Sequence, residues 1–241
     1  MSARELMFAL PGGGRALFTA RADGNMSSVS GAGALHGQRA RERLREQFGL
    51  AGLARGRQVH GTVVRRVGAG EAPLEQSPAW EVPHGESLVE ADGHATALPG
   101  LGALALTADC LPVALGSVGA VAMLHAGWRG LAAGVLEEGV GAMRDLGAGE
   151  EIVAVIGPGA GVCCYEVGAE VHAALGSGHG AAGHVAAGHI DLHAIARERL
   201  LAAGVGRVRD PGICTICDLA FFSHRREGAR AGRQAGVAWL S

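Results

Sequence analysis

Lysine is missing altogether from the 241 residues, and all 21 basic positions are arginine. That absence removes two chemistries, since Schiff-base catalysis and a Walker-type phosphate loop both need the primary amine. No run of about 20 apolar residues occurs, so no membrane span or membrane partner is expected. The apolar patch Leu6 to Leu10 is too short for a secretory signal core. Net charge is only −2, which argues against a strongly basic nucleic-acid binder, and no nucleic-acid partner is expected. Five cysteines are an odd number in a chain of this size, a poor basis for a disulfide framework, so a reducing cytoplasm is the expected location. No 20–50-residue repeat is visible.

What is present in excess is glycine: 41 of 241 residues, about 17%, against roughly 7% in ordinary chains. There is no G-x-y period, which excludes collagen. Hydrophobic residues reach 48% and charged residues 18%, the balance of a chain that folds around a core. Met7 to Ala20 reads as two short strands around Pro11-Gly12-Gly13-Gly14. Arg39 to Phe48 reads as an exposed helix stopped by Gly49, and Arg57 to Val67 as a strand. Gly68 to Glu90 reads as a surface loop. The 16 residues between Asp92 and Asp109 carry no Asp, Glu, Lys or Arg. Buried strands are expected at Leu101 to Thr107, Val113 to Leu115 and Val118 to Leu124, separated by Pro112 and Gly116. Leu131 to Leu146 shows one helical apolar stripe, and Glu151 to Ile156 reads as a strand. Asp191 caps an expected helix to Ala203, with Gly204 beyond its end. Late strands are expected at Val205 to Val208 and Gly236 to Leu240. Mixed strands and helices with no evident boundary give an α/β (α+β) class and a single domain over 1–241.

Four of the 11 histidines, His179, His184, His189 and His193, fall in or beside the glycine-rich tract Gly176 to His189. The tract reads as a solvated loop, with metal storage as its functional alternative. His60, Cys110 and His125 instead lie at apparent strand ends, where a rigid element can aim a side chain at a cleft. Two imidazoles and a thiolate suit zinc, and three protein ligands leave a fourth position open for catalysis. Spacing alone favours the plainer reading, two hydrogen-bonded core histidines and an apolar cysteine. Cys214-Thr215-Ile216-Cys217 is a lone C-x-x-C, which by itself cannot close a tetrahedral site, and reads as structural. The adjacent Cys163 and Cys164 read as packing residues that cannot both enter one small site. Gly127, Gly130 and Arg129 in HAGWRG permit an anion-binding turn into a helix. Arg225 and Arg226 in FFSHRREG fit either an anion clamp or an ion pair.

The segments GRQVHG, ADGHATALPGLGALALTADCLPVAL, AVAMLHAGWRG, VIGPGAGVCCYEVGAEV, IDLHAIARERL and CTICDLAFFSHRREGARAGRQ together resemble the YfiH-type family. That family has long been labelled multicopper polyphenol oxidoreductase (laccase domain), and its members are now read as purine nucleoside phosphorylases that also deaminate adenosine. The resemblance covers roughly Phe8 to Leu240. It implies a metal site on His60, Cys110 and His125, which overturns the plainer reading. It also implies a layered fold with sheets inside and helices outside. Two departures bear on the rim: ADGNMSS replaces a more glycine-rich turn, and His224 stands where the family has tyrosine in its S-Y-R-R stretch.

The expected function is therefore zinc-dependent phosphorolysis of adenosine, guanosine, inosine or methylthioadenosine, with adenosine deamination. His60, Cys110 and His125 are the catalytic and metal residues, and Arg129, Arg225 and Asp109 are the candidates for contact with substrate. Purine nucleoside and phosphate are the expected partners, in a monomer or homodimer. Copper is the alternative metal, with laccase-like phenol oxidation as its activity. A laccase, however, draws a trinuclear cluster from His-x-His pairs, and none occurs here. A third reading is a hydrolase of peptidoglycan precursors, with Cys110 as nucleophile and His125 or His60 as base.

Overall fold

A computed structural model describes residues 6–27, 32–68, 89–176 and 188–241. Its strands are β1 (Met7–Ala9), β2 (Gly14–Phe18), β3 (Gly52–Ala54), β4 (Val64–Val67), β5 (Gly93–Thr96), β6 (Leu101–Thr107), β7 (Leu111–Ser117), β8 (Ala120–Ala126), β9 (Val153–Ile156), β10 (Arg207–Arg209) and β11 (Gln234–Leu240). They form two mixed sheets, ordered β1-β2-β11-β6-β3 and β10-β9-β7-β8-β5-β4. The helices are α1 (Ala32–Gln47), α2 (Trp128–Ala133), α3 (Val135–Asp145), α4 (Ala169–Gly176), α5 (Leu192–Ala202) and α6 (His224–Glu227).

Side-chain alternation along each strand makes the layers. On β2, Ala16 and Phe18 face the second sheet, while Leu17 faces away from it to meet Ala40 and Leu44 of α1. On β8, Val121 and Met123 face the first sheet, and Ala122 and Leu124 face the cluster that includes Leu136 and Val140 of α3 and Ile195 of α5. The order is thus helix, sheet, sheet, helix, as the resemblance implies. The layer between the sheets is rich in alanine: Ala16, Ala103, Ala105, Ala114 and Ala238 all lie in it. Such small residues bring the sheets close, and enlarging one would cost about 1–3 kcal/mol in overpacking.

Several expected elements hold. The β1–β2 hairpin turns through Pro11–Gly13, β6 has the expected bounds, and the Asp191 carboxylate accepts the Ala194 N–H at 2.9 Å to cap α5. Others are corrected. The stripe from Leu131 to Leu146 is two helices, because Gly134 takes the left-handed conformation (φ 102°, ψ 28°) and closes α2 on the Gly130 and Leu131 carbonyls. β7 runs through both Pro112 and Gly116. Proline is tolerated there because its carbonyl accepts the Gly157 N–H just past the end of β9, so its missing N–H falls where the ladder has already ended. α1 begins at Ala32, earlier than expected, and β3, β5 and α4 were not anticipated. Most of the expected loop 68–90 and of the glycine-rich tract, including His179 and His184, lies outside the described residues. No helix among the described residues is long and apolar enough to cross a membrane.

Only residues 64–67 of the expected strand Arg57 to Val67 are extended as β4. The chain before them is a loop, and His60 sits at φ 62°. The cause is the Asp92 carboxylate, which gathers the N–H groups of Val59 (3.1 Å), His60 (2.9 Å) and Gly61 (2.8 Å). Three consecutive donors cannot converge on one carboxylate from an extended strand, whose N–H groups alternate in direction.

Candidate active site

His60 comes from this loop, Cys110 from the residue before β7, and His125 from the end of β8. β7 and β8 are hydrogen-bonded neighbours, with Leu111 opposite Ala126, so Cys110 and His125 meet at one sheet end. The Asp92 clamp folds His60 over them. One ligand atom from each of the three residues lies within 4.8 Å of the others. The His60 and His125 rings meet edge to face, with centroids 4.9 Å apart. His125 is buried, Cys110 half-buried and His60 exposed, so the set opens on one side. This is the donor type and number of a three-ligand metal site with an open position, and the residues fit such an ion.

Gly127 makes the convergence possible. A Cβ there would lie 2.8 Å from His60 Cδ2 and 2.9 Å from Cys110 Sγ, so any side chain would push two of the three ligands apart. Cys110 itself follows Asp109, another residue held at positive φ (89°). Strained non-glycine residues such as His60 and Asp109 persist only where surrounding contacts over-determine them.

Asp92 is the residue that sequence reasoning passed over. It is buried, and its Oδ1 lies 2.8 Å from His125 Nδ1. The His125 N–H of the backbone also donates to the Asp92 carbonyl at 2.6 Å. With Nδ1 engaged, Nε2 is left to face Cys110, the arrangement in which a carboxylate fixes the tautomer of a metal-binding histidine. The only sequence signal was a lone acid at the head of a 16-residue stretch without charge.

The charges of the site are coupled. Burial would raise the Cys110 thiol, but the His125 and His60 imidazoles outweigh it and bring the thiol down to about 6. Burial would lower His125, but the Cys110 thiolate and the Asp92 carboxylate lift it to about 9. Burial also works against the Asp92 carboxylate, and the bonds from His125 and from the Gly61 and Val59 N–H groups hold its pKa below the usual value.

The triad lies in the wall of a cleft of about 770 Å³, whose lining includes Arg57, Arg129, Arg225, Arg233, Tyr165 and His224. Of the three expected substrate contacts, Arg129 stacks its guanidinium 4.3 Å from the centroid of the Trp128 ring. Arg225 sits 5.0 Å from the Tyr165 centroid and donates to the Glu166 carbonyl at 2.6 Å. Asp109 has both oxygens engaged, one by the Thr215 hydroxyl at 2.8 Å and the other by the Arg225 N–H at 2.6 Å. It braces the 215–225 segment against the cleft, while Asp92 orients the ligand. Burial, with the Cys110 and Asp109 charges, pushes Tyr165 up to about 12, so its phenol stays protonated near neutrality.

Fold and site together define a layered α/β protein whose cleft carries a three-residue, metal-competent centre among arginines. The chain belongs to the multi-copper polyphenol oxidoreductase laccase family, whose model matches residues 15–241. It is 42% identical over 229 residues to a purine nucleoside phosphorylase of Xylella fastidiosa, covering 90% of this chain and 84% of that one. It is 36% identical over 186 residues to the purine nucleoside phosphorylase YfiH of Escherichia coli, covering 69% and 75% of the two chains. Its fold is similar to the crystal structure of Neisseria meningitidis protein NMB0706, of the DUF152 family, with TM-score 0.78, 30% identity and coverage of 98% and 99%. The relatives are thus named as enzymes, and the resemblance read from the motifs holds.

Proposed function

We propose that this chain is a zinc-dependent purine nucleoside phosphorylase that also deaminates adenosine. The observation that carries the reading is the His60–Cys110–His125 set opening into an arginine-lined cleft, in a chain whose relatives are named purine nucleoside phosphorylases. In phosphorolysis a phosphate oxygen bonds to C1′ of the nucleoside, the glycosidic C1′–N9 bond breaks, and the base leaves with a proton. In this reading a lysine-free chain leaves phosphate to guanidinium groups, backbone N–H groups and the metal, and Arg129 and Arg225, which line the cleft, are the guanidinium candidates. Asp109 holds the Arg225 backbone, and Asp92 holds His125 through Nδ1. When bound, zinc supplies electrostatic stabilisation of developing negative charge and activation of water for exchange of the adenine 6-amino group. The test is incubation of purified protein with adenosine and phosphate, with chromatography for adenine, ribose 1-phosphate, inosine and hypoxanthine. Adenine and inosine that disappear in Cys110→Ala are expected. Absence of purine products from the wild type, or undiminished products from Cys110→Ala, would overturn the reading.

One observation favours a second reading. Cys110, His125 and Asp92 lie in the order thiol, imidazole, carboxylate, the parts of an activated cysteine nucleophile. A covalent adduct at Cys110 formed by substrate in chelator-treated protein would select it. Turnover abolished by chelator and restored by zinc would select the phosphorylase.

A further inference from the structure

Outside the cleft, the described residues contain a second cluster suited to a metal, made of Cys163, Cys164, Cys214 and Cys217, whose sulfurs all lie within 4.8 Å of one another. Sequence reading kept these residues apart, as packing residues and an isolated C-x-x-C. The tertiary structure brings the two pairs together, against the expectation that Cys163 and Cys164 cannot both enter one small site, and supplies the C-x-x-C with a second pair. The segment after β9 and the segment after β10 are zipped together: Gly159 N–H donates to the Ile213 carbonyl (3.1 Å), and Thr215 N–H donates to the Gly159 carbonyl (2.8 Å). The 163–164 pair is thereby carried across 53 residues to the C-x-x-C. Adjacent cysteines would diverge on a strand, but these lie in a turn, where the Cys164 and Tyr165 N–H groups both donate to the Gly161 carbonyl. Both sulfurs therefore reach Cys217, at 3.2 Å from Cys163 Sγ and 2.8 Å from Cys164 Sγ.

We infer that these four cysteines form a second zinc site, a tetrahedral four-thiolate centre that staples the two segments beside the cleft. Three observations carry this. Four sulfurs around one zinc at about 2.3 Å would stand roughly 3.8 Å apart, and the separations here, from 2.8 Å up to 4.8 Å, bracket that edge. Cys163 and Cys217 are exposed, which is not where cysteines serve as small core hydrophobes. The backbone is shaped around the cluster: the Gly161 N–H donates to Cys214 Sγ at 3.2 Å, and Arg226 fixes the C-x-x-C turn by donating to the Thr215 and Ile216 carbonyls at 2.7 and 2.9 Å. Gly161 leaves room for this, since a Cβ there would stand 2.8 Å from Cys214 Cβ and 3.4 Å from Cys163 Sγ. Binding exchanges the four thiol protons for one zinc ion, with no change of oxidation state.

The placement supplies a role. Thr215, inside the C-x-x-C, is the residue whose hydroxyl holds Asp109 next to Cys110. Tyr165, which follows Cys164, lines the cleft. A metal here would fix one wall of the cleft without touching substrate.

The inference stands independently of the proposed phosphorylase activity, and its test reads metal rather than turnover. Full-length protein is purified with reductant, and zinc per chain is counted by native mass spectrometry. Cys214→Ser/Cys217→Ser is expected to lose one equivalent of zinc, and Cys110→Ala to lose the other. An unchanged count in the double variant would overturn the inference. So would a reductant-free wild type lighter by two hydrogens, with the missing mass mapped to a disulfide among these four cysteines and no zinc taken up after reduction. Should the double variant fail to fold, metal-free Cys110→Ala is titrated with cobalt(II). The intense tetrahedral thiolate-to-cobalt absorption is expected at one equivalent, and its absence would overturn the inference equally.

Discussion

The Asp92→Asn exchange tests the clamp that builds the first metal-competent centre. In the native site each carboxylate oxygen accepts two N–H groups: Oδ1 takes those of His60 (2.9 Å) and His125 Nδ1 (2.8 Å), and Oδ2 those of Val59 (3.1 Å) and Gly61 (2.8 Å). Asparagine keeps one acceptor oxygen and turns an NH₂ group towards the other pair of donors. Two hydrogen bonds to a charged group are lost, at about 1.5–3 kcal/mol each, and two donors in a partly buried site are left facing a third. Relaxation of the exposed side of the loop recovers some of this, so a loss of about 3–4 kcal/mol is expected, within the range for breaking one partner of a buried charged contact. Loss of a carboxylate that orients a ligand also weakens metal binding by about 10–100-fold, equivalent to about 1.4–2.7 kcal/mol. Stability is read by urea unfolding of metal-free protein. Affinity is read by competition with a chromophoric chelator on the Cys214→Ser/Cys217→Ser background, so that only the His60–Cys110–His125 set binds. A variant within about 0.5 kcal/mol of wild type, with unchanged zinc affinity, would refute the clamp.

Further outcomes follow from the same geometry. Gly127→Ala, whose Cβ meets His60 and Cys110 below 3.0 Å, should bind metal at the triad at least about 10-fold more weakly while far-ultraviolet circular dichroism stays native; full affinity would refute the close approach. In chelator-treated protein, alkylation of Cys110 by iodoacetamide should rise through a pH of about 6 and change again near about 9 as His125 loses its proton; a single rise at the ordinary thiol value would refute the ion pair. Arg129→Ala should raise KM for phosphate with the zinc count unchanged, and a phosphate KM equal to wild type would remove this residue from substrate binding. His94 is buried on β5, and neither ring nitrogen meets a hydrogen-bond partner among the described residues. Burial and the Arg65 charge depress it from 6.5 to about 3. Between those values the unfolded chain binds a proton that the folded one refuses, so stability falls with acidity, by up to about 1.4 kcal/mol per pH unit. His94→Leu should flatten that slope in urea unfolding at pH 4 to 7, and an unchanged slope would place the proton uptake elsewhere.

Motif identity and local periodicity were enough for the layered class, β6, the capped α5 and the His60–Cys110–His125 set. β6 and α5 are short-range: a two-residue alternation of buried side chains, or an acid three residues from the N–H it caps, is written in consecutive residues, whereas the layering came from whole-motif resemblance. The triad did too. Its gaps of 50 and 15 residues carry no metal spacing, and it was legible only because whole motifs resembled a family. The missed features have two causes, a partner distant in sequence for the loop before β4 and a locally left-handed glycine for the break between α2 and α3. Asp92 bends a segment that β-branched residues alone would extend. Gly134 splits a helix whose apolar stripe runs unbroken on both sides.

The sequence by itself determined what this protein has to work with: arginine as its sole permanently cationic side chain, histidine and cysteine as its metal donors, and strands alternating between two faces. Composition and periodicity are properties of neighbouring residues, so they survive without knowledge of the fold. Only the tertiary structure decided which donors share a site. It joined His60 to Cys110 and His125 through one buried carboxylate, and it carried Cys163-Cys164 to Cys214 and Cys217 through the zipped Gly159–Thr215 segments. Metal-competent geometry is a matter of a few ångströms between chains of contacts dozens of residues apart, and backbone hydrogen bonding, not spacing, sets that distance.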